Sequence, residues 1–587
     1  MQQLFDWLYQ RSAQNRMHGV DLYNIIISEN NILLAYRMIK ANKGSNTKGS
    51  NQQTISDIQL KNKNQFISEI RECLNDFVPD KVKRVEIPKR NGQKRPLGIP
   101  SIRDRIIQQM FLQVLEPICE AKFYNHNYGF RPNRSAQDAM GRCSFLINMA
   151  SLHYVVDIDI KGFFDNVNHT KLLSQLYTVG VKDKRVLAII GKMLKAPILG
   201  LGVPKTGTPQ GSILSPLLSN VVLNDLDWWV SSQWENFPTR HVYHKQSKIK
   251  ALKRTNLKEM YIVRYADDFK IFTRESKTAS KIFHATKNYL KKHLKLDISP
   301  EKSKITNLRK RSSEFLGFEI KAIKKRNKHV ARTSVSQRSK DTIKKNVKKH
   351  IYNLQKYPNK LSVSNYNSYV LGVHNYYGIA TQVSKDFSEI AYSLLYTTYN
   401  RLKSVGKYEV PRSPPKVYSR IYKNKSRTFR IEGQYLFPIA DIKWKYRNYF
   451  SQTVCDYSVQ GRNARYKKLH PSIYKEIQKM LKCIKTDENM DYADNRISKY
   501  SMQNGKCAVT GKFLTAEEVH CHHILPKYLD GKDTFDNLVV IHMWVHQLIH
   551  ATGISTIKSY KQLLKLTGKQ LEKVNKYREK CNLFIID

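Results

Sequence analysis

Two adjacent carboxylates, Asp267 and Asp268, lie in YIVRYADDFKIF, between two apolar, β-prone runs. That pattern places them at the tip of a hairpin. A third carboxylate, Asp159, ends another β-prone run in VVDIDIKGFFDNVNH. Three carboxylates from two strands can hold two Mg²⁺ ions about 3.5–4 Å apart, the clamp for in-line phosphoryl displacement. Hard divalent ions prefer oxygen ligands, so Asp suits the task better than His or Cys. An isolated Asp pair usually marks a solvated turn. The flanking strands and the distant third carboxylate set this pair apart.

A second constellation occupies HCHHILPKYLDGKDTFDNLVVIHMWVHQLIHATG. His522 and His523 lie beside an apolar β-prone segment, and Asn537 precedes another. His546 and His550 share one helical face, a spacing that favours a common metal. A lone histidine here would read as core. A third group lies in VEIPKRNGQKRPLGIPS, where Asn91-Gly92 signals a hairpin turn. Lys89 and Arg95 flank that turn. Each alone reads as solvated charge, but together they suit a triphosphate, with Arg offering a bidentate fork.

At 587 residues the chain can hold several domains to position these groups. Residues 1–80 read as helical around a polar loop, and 81–135 as a basic ribbon followed by helix. Over 150–325 strands and helices alternate, with a basic insertion, HVYHKQSKIKALKRTNLKEM, before the Asp pair. Residues 326–410 turn helical and basic. KDTIKKNVKKHIYNLQKY puts Lys on several helical faces, where like charges repel unless a phosphate backbone runs alongside. HNYYGIATQVSKDFSEIAYSLLYTTYNRL follows, an aromatic pattern whose Tyr mostly suit a bundle core, with a few left to stack on RNA. A Pro-containing connector and a mixed basic stretch fill 411–495, the histidines fall in 496–560, and 561–587 reads as a basic terminal helix.

Lys+Arg number 101 against Asp+Glu 48, a net charge of +53. Such a bias is the electrostatic footprint of a nucleic-acid partner, and counterion release makes that binding salt-sensitive. The 34 Tyr add faces on which bases stack. Eight Cys lie without a C-x-x-C pair, which excludes a readable disulfide framework or four-Cys zinc site. No apolar run approaches membrane-spanning length, and MQQLFDWLYQRS has no secretory apolar core. The expectation is a soluble protein of a reducing compartment with no membrane partner.

Seven segments in one order carry a family resemblance: KRNGQKRPLGIPSIRDRIIQ, FYNHNYGFRPNRSAQDA, DIDIKGFFDNVNH, GTPQGSILSPLLSN, RYADD, SPEKSKI and FLGFEI. The series resembles a group II intron-encoded protein, a reverse transcriptase and maturase with a C-terminal HNH endonuclease. The resemblance implies an α+β multidomain fold with right-hand fingers and palm, helical thumb/maturase domain, small DNA-binding region and ββα-metal nuclease domain. The expected spans are 1–80 for the N-terminal extension and fingers, 81–325 for fingers and palm, and 326–410 for thumb and maturase. They continue with 411–495 for the DNA-binding region and connector, 496–560 for the nuclease and 561–587 for the terminal helix.

The same resemblance implies roles. Asp159, Asp267 and Asp268 would carry two Mg²⁺ ions while a primer 3′-OH attacks the α-phosphate of a dNTP. Phe164 would crowd a ribose 2′-OH, its plain alternative being a core Phe. Gln210 would contact the nascent pair, with Gly211 allowing close backbone approach. Lys302 would lie near the leaving pyrophosphate, its alternative being a solvated lysine. Asp157 and Asp165 are not counted as ligands. In the nuclease, His522, His546 and His550 would hold a divalent metal of unread identity. His523 would act as general base, with Asn537 orienting it. HNYYGIAT resembles the maturase region, which binds RNA without catalysing its splicing.

One departure stands out: Cys507-Ala-Val-Thr510 lacks the second Cys of a structural zinc pair, and His542 and Val545 occupy the region of the later pair. Implied partners are the host group II intron RNA, target DNA and dNTPs, with monomer and homodimer both open. The implied place is a bacterial cell interior, nucleoid-associated on DNA, or an organelle interior. Two other classes remain open: a non-enzymatic RNA-binding maturase, and a reverse transcriptase of another retroelement or defence system. Intron RNA elements flanking the reading frame would separate them.

Overall fold

The apolar runs around the acidic pair fold as strands of one antiparallel sheet. The computed structural model describes residues 1–58, 63–88, 94–423, 426–466, 471–482 and 490–587. The chain divides into two units, 1–452 and 453–587. That division falls inside the stretch 411–495, whose residue pattern is mixed throughout.

In the first unit, helices Gln2–Ala13 and Glu29–Lys40 pack on the long helix Ile102–Glu120. Ser101 caps that long helix by accepting from the Asp104 amide at 3.2 Å. Before it, β1 (Lys83–Pro88) and β2 (Lys94–Ile99) form a two-stranded antiparallel ribbon. Lys89 and the Asn91-Gly92 turn lie outside the described residues.

The central sheet joins β3 (Tyr154–Ile158), β4 (Tyr261–Tyr265), β5 (Asp268–Thr273) and β6 (Lys304–Asn307) in the order β4-β5-β3-β6. Helices Ala136–Ala150, Ser215–Ser232 and Ser276–Tyr289 pack against it. Val155, Val156, Ile262, Val263, Ile271 and Phe272 are accordingly buried. Register places Asp157 directly opposite Lys270, and Ile158 opposite Phe269. Asp159 therefore leaves β3 at the end of the sheet where β5 begins with Asp268.

A meander of β7 (Ser313–Phe315), β8 (Phe318–Lys325) and β9 (Lys328–Val335) leads into three long helices, Gln337–Lys356, Lys360–Tyr377 and Val383–Leu402. The first of these packs on both of the others. A small sheet of β10 (Lys407–Glu409), β11 (Thr428–Ile431) and β12 (Gln434–Tyr435) follows.

The second unit has its own core, in which Leu538, Val540, Ile541, Val545, Leu548, Ile549 and Val574 are buried. Strands β13 (Val519–His523) and β14 (Leu538–His542) pair antiparallel, and helix Met543–His550 follows directly. The terminal region holds two helices, Ile554–Leu564 and Gly568–Lys580, where one was expected. Lys565 breaks the run by adopting φ 45°, and Thr567 restarts it through a capping box with Gln570. Among the described residues no helix is long and apolar enough to cross a membrane.

Candidate active sites

Asp267 and Asp268 stand at the tight turn between β4 and β5, with Ala266 at φ 58°. Burial raises the Asp267 carboxyl above its ordinary value, and the charge of Asp159 adds to the shift. Asp268 keeps a solvent-exposed edge, yet desolvation pushes it up to about 7 against the opposing charge of Lys270, with Asp157, Asp267 and Asp159 contributing. The three carboxylates thus share one electrostatic neighbourhood. Their oxygen donor set and mutual repulsion fit divalent cations, which would favour the ionised forms. Asp157 takes no part in that donor set. Its carboxylate accepts from the Lys270 ammonium, and Ser313 Oγ donates to it at 2.9 Å. Lys270 also donates to Ser313 at 2.8 Å, so the buried pair is locally satisfied.

The turn itself is held by a buried knot that residue spacing does not reveal. Arg264 is fully buried and makes a forked contact with Asp227, its Nη2 donating to Oδ2 at 2.6 Å. Arg264 Nη1 donates to the Ala266 carbonyl at 2.8 Å and to Asn220 Oδ1 at 3.0 Å. Asn220 in turn donates to the Gly129 carbonyl at 2.8 Å. A Cβ on Gly129 would lie 2.1 Å from the Ala266 amide nitrogen, so only glycine fits beneath the turn. The available signal was a charged residue inside an otherwise apolar β-prone run.

Two further polymerase-type candidates share one cavity, and two others act on the carboxylates. Phe164 and Gln210 line a cavity of about 130 Å³ together with Arg84, Pro96 and Gly98 from the ribbon. Phe163 fills the core, at 2 % exposure, while Phe164 is only half-buried and contacts it edge-on. The core alternative for Phe164 therefore falls to its neighbour. Gly98 donates its amide to the Gln210 carbonyl at 2.5 Å. Gly211 takes φ 106°, and a Cβ there would lie 2.4 Å from the Gly98 carbonyl oxygen. Arg95 acts electrostatically on Asp267. Lys302 lies 3.5 Å from Asp159 Oδ2, and the Asp159 amide donates to Ser303 Oγ at 3.1 Å. Asp165 shapes the turn through its carbonyl, which accepts from Thr206 Oγ1 at 3.1 Å.

Two basic or aromatic surfaces follow in the helices. Lys340 is spent on Asp386 and Glu389, at 2.6 and 2.8 Å. Lys344, Lys345, Lys348 and Lys349 instead line an open hollow with Asp341 and Tyr352. In HNYYGIAT the aromatics are structural. Phe318 stacks on Tyr376, and Tyr376 Oη donates to the Leu316 carbonyl at 3.0 Å. His374 lies with Nε2 2.9 Å from the Ile439 carbonyl, and burial pushes its pKa down to about 4. Tyr392 and Tyr396, on the next helix, are 77 % and 79 % exposed.

In the second unit β13 and the Met543–His550 helix bring the histidines together. Ring centroids of His522 and His550 lie 5.2 Å apart. His546 stacks face to face on His520 at 3.6 Å. Burial lowers His522 and His546 to about 3 and His520 to about 4, neighbouring imidazoles adding to the shift at His522 and His546. His523 stands on the same strand with Nε2 2.7 Å from Asp533 Oδ1 and its ring stacked on Tyr492. Against burial, hydrogen bonds from His523 and Lys527 hold the Asp533 carboxyl below its ordinary value.

Among the described residues, the hydrogen bonds of the Asn537 side chain go to the loop between the strands and not to His523. Its Oδ1 accepts from the Leu525 amide, and its Nδ2 donates to the Leu525 and Lys532 carbonyls, closing that loop. Cys507 stands in a turn where the Thr510 and His542 amides each donate to its Sγ at 3.4 Å.

Comparison with known proteins bears on both units. Residues 87–320 match the family described as reverse transcriptase (RNA-dependent DNA polymerase). The group II intron-encoded protein LtrA of Lactococcus lactis subsp. cremoris is 27% identical, over 89% of this chain and 99% of that protein. Protein YkfC of Escherichia coli K12 is 30% identical over 50% of this chain and 81% of its own length. The putative COX1/OXI3 intron 2 protein of Saccharomyces cerevisiae is 31% identical over 49% of this chain and 38% of that protein.

Proposed function

This chain belongs to the reverse transcriptase family, and we propose that it copies its own group II intron RNA into DNA, assists that RNA's splicing, and cuts target DNA for insertion. The observation that carries the polymerase reading is the electrostatically coupled trio Asp159, Asp267 and Asp268 at one end of the central sheet. Phe164 and Gln210, five and fifty-one residues after Asp159 in the chain, line one cavity with the ribbon residues Arg84, Pro96 and Gly98.

Two Mg²⁺ ions bound by these carboxylates would supply charge stabilisation at the attacking and leaving oxygens. The protein's own part is positioning. The Arg264–Asp227 knot fixes the turn, so both carboxylates are aimed before substrate arrives. Arg95 supplies positive charge beside Asp267 for a triphosphate. Lys302 contacts Asp159 and is placed to follow the leaving phosphates. Phe164 offers a half-buried ring against which a ribose 2′-OH would collide, favouring deoxynucleotides.

For the RNA role, the net charge of +53 and the lysine-lined hollow on Gln337–Lys356 supply phosphate contacts. The exposed Tyr392 and Tyr396 supply stacking faces. Binding the active RNA fold preferentially stabilises it by mass action. For the nuclease role, His523 is the base, with Asp533 on one nitrogen and the other left for water. Nicking would create the 3′ end that the polymerase site extends.

The test is to sequence RNA that co-purifies with the protein from its native host. One dominant excised intron spanning this reading frame is expected. A diverse RNA population would overturn the maturase and homing parts and leave a free-standing polymerase.

A further inference from the structure

We infer that a cavity between helix Val383–Leu402 and the small β10–β11–β12 sheet captures an unpaired nucleobase of RNA, with the attached phosphate at Arg427. The space is about 690 Å³, inside the range of roughly 300–1,000 Å³ in which small-ligand sites fall. Its walls are mostly apolar. Tyr396 and Tyr399 line it from the helix, Tyr408 and Phe429 from the sheet, and Arg427 and Asp441 supply charge. The assignment rests on the RNA-binding reading above for its ligand, and on neither the polymerase nor the nuclease reading.

The back of the cavity is fixed before any ligand arrives. Thr428 Oγ1 donates to the Leu436 carbonyl at 2.8 Å, and the Leu436 amide donates to the Phe429 carbonyl at 2.9 Å. The Phe437 amide donates to Asn367 Oδ1 at 2.7 Å, which ties that edge to helix Lys360–Tyr377. Tyr366 of the same helix and Phe429 both line the space and are each 3 % exposed. The mouth is different. Tyr396, Tyr399 and Tyr408 are 79 %, 47 % and 40 % exposed. Tyr399 packs edge-on to Tyr408 at 5.8 Å, and Tyr408 lies 5.0 Å from Phe429. Several exposed rings around one polar-rimmed hollow mark an interaction site, where a single exposed ring would not. Arg427 is exposed beside them and forms no ion pair among the described residues.

The chemistry of the lining selects the occupant. Every base has a π face, so tyrosine rings hold it whatever the sequence. Bases in loops and bulges can swing out of their stack, whereas those inside a duplex are already paired and stacked. The Arg427 guanidinium offers a forked donor to the phosphate. The Asp441 carboxylate accepts from the amino group that adenine, guanine and cytosine carry, and it repels the phosphate toward the arginine side. The net charge of +53 favours a polyanion over a neutral peptide or lipid. Capture would also hold the long helices and the small sheet in one arrangement, since both contribute walls.

The experiment uses the full-length protein and a short random-sequence RNA carrying 4-thiouridine and 6-thioguanosine. After irradiation, cross-linked peptides are mapped by mass spectrometry. Cross-links on Tyr396, Tyr399 or Tyr408 are expected, and a blunt RNA duplex with the same thio-bases paired should give none there. Ala391 also lines the cavity, so Ala391→Trp should fill it and remove those cross-links while keeping others elsewhere on the chain, which report that RNA was bound. Tyr396→Ala with Tyr399→Ala should weaken binding of the single strand by about 5-fold or more and leave its salt dependence unchanged. The paired Phe substitutions should bind as the unaltered protein does. Absence of the three cross-links in the unaltered protein overturns the assignment, as does their survival in Ala391→Trp or an equal loss of duplex binding in the Ala pair. The cross-links together with a diverse co-purifying RNA population keep the site and lose the intron reading. One dominant excised intron without the cross-links does the reverse.

Discussion

The carboxylate cluster of the first unit and the imidazole cluster of the second are both driven toward neutrality by burial, from opposite directions. Asp268 is pushed up to about 7, while His522 and His546 are pushed down to about 3. The consequences differ. Neutral imidazoles already present lone pairs, so a metal bound by the second cluster, as proposed, would displace no protons from its histidines. Asp268 must shed its proton to bind a cation, so the first site is coupled to pH. The carboxylate oxygen donors suit a hard ion, and imidazole nitrogens suit a softer one.

Several substitutions would break or sharpen this contrast. The largest effect is expected from Asp267→Ala with Asp268→Ala. That variant should lose cDNA synthesis by more than about 10³-fold while binding intron RNA and assisting splicing as before, measured by primer extension and filter binding. Equal loss of RNA binding would make these residues structural. His523→Ala should abolish nicking, by about 10²-fold or more, yet extend a supplied primer normally. Undiminished nicking would remove its role as base.

Arg264→Met leaves Asp227 buried without its partner and should cost about 3–5 kcal/mol of stability. A thermal melt and a polymerase assay would report that loss together, because the same guanidinium holds the Ala266 carbonyl. Phe164→Ala should leave dNTP incorporation largely intact and admit ribonucleotides about 10–200-fold more readily, read from paired incorporation rates. Unchanged selectivity would return Phe164 to packing.

The smallest effect concerns pH. Because Asp268 is raised above its ordinary value, it holds its proton until near-neutral pH in the absence of a cation. Raising pH from about 6 to about 8 should therefore lower the Mg²⁺ needed for half-maximal extension. The sign also holds for stability. Without metal, a raised Asp costs stability as pH climbs from its unfolded value toward 7. An Mg²⁺ requirement that does not move with pH would contradict the coupling.

How much of this was legible in the residues depends on how local each signal is. The strands around Asp159 and the Asp pair announce themselves by β-prone apolar runs, and the helix of the second unit by the four-residue spacing of His546 and His550, while the strand–strand–helix order came from the family resemblance. What the residues hid is long-range. Asp157 is set aside as a ligand by the resemblance, but only the register that puts it opposite Lys270 shows what it does instead. Arg264, Asp227, Asn220 and Gly129 meet only once helix Ser215–Ser232 is laid against the sheet. Four-residue spacing linked His546 to His550, whose ring centroids lie 4.6 Å apart, but backbone order could not show that His546 would also stack on His520. Asn537 carries the expected position and different bonds, because loop closure used its side chain first.

The most direct test of the central claim is primer extension by the purified full-length protein on an RNA template, with dNTPs and Mg²⁺. DNA complementary to the template is the predicted product. A primer–template that binds the protein yet is never extended would contradict the account.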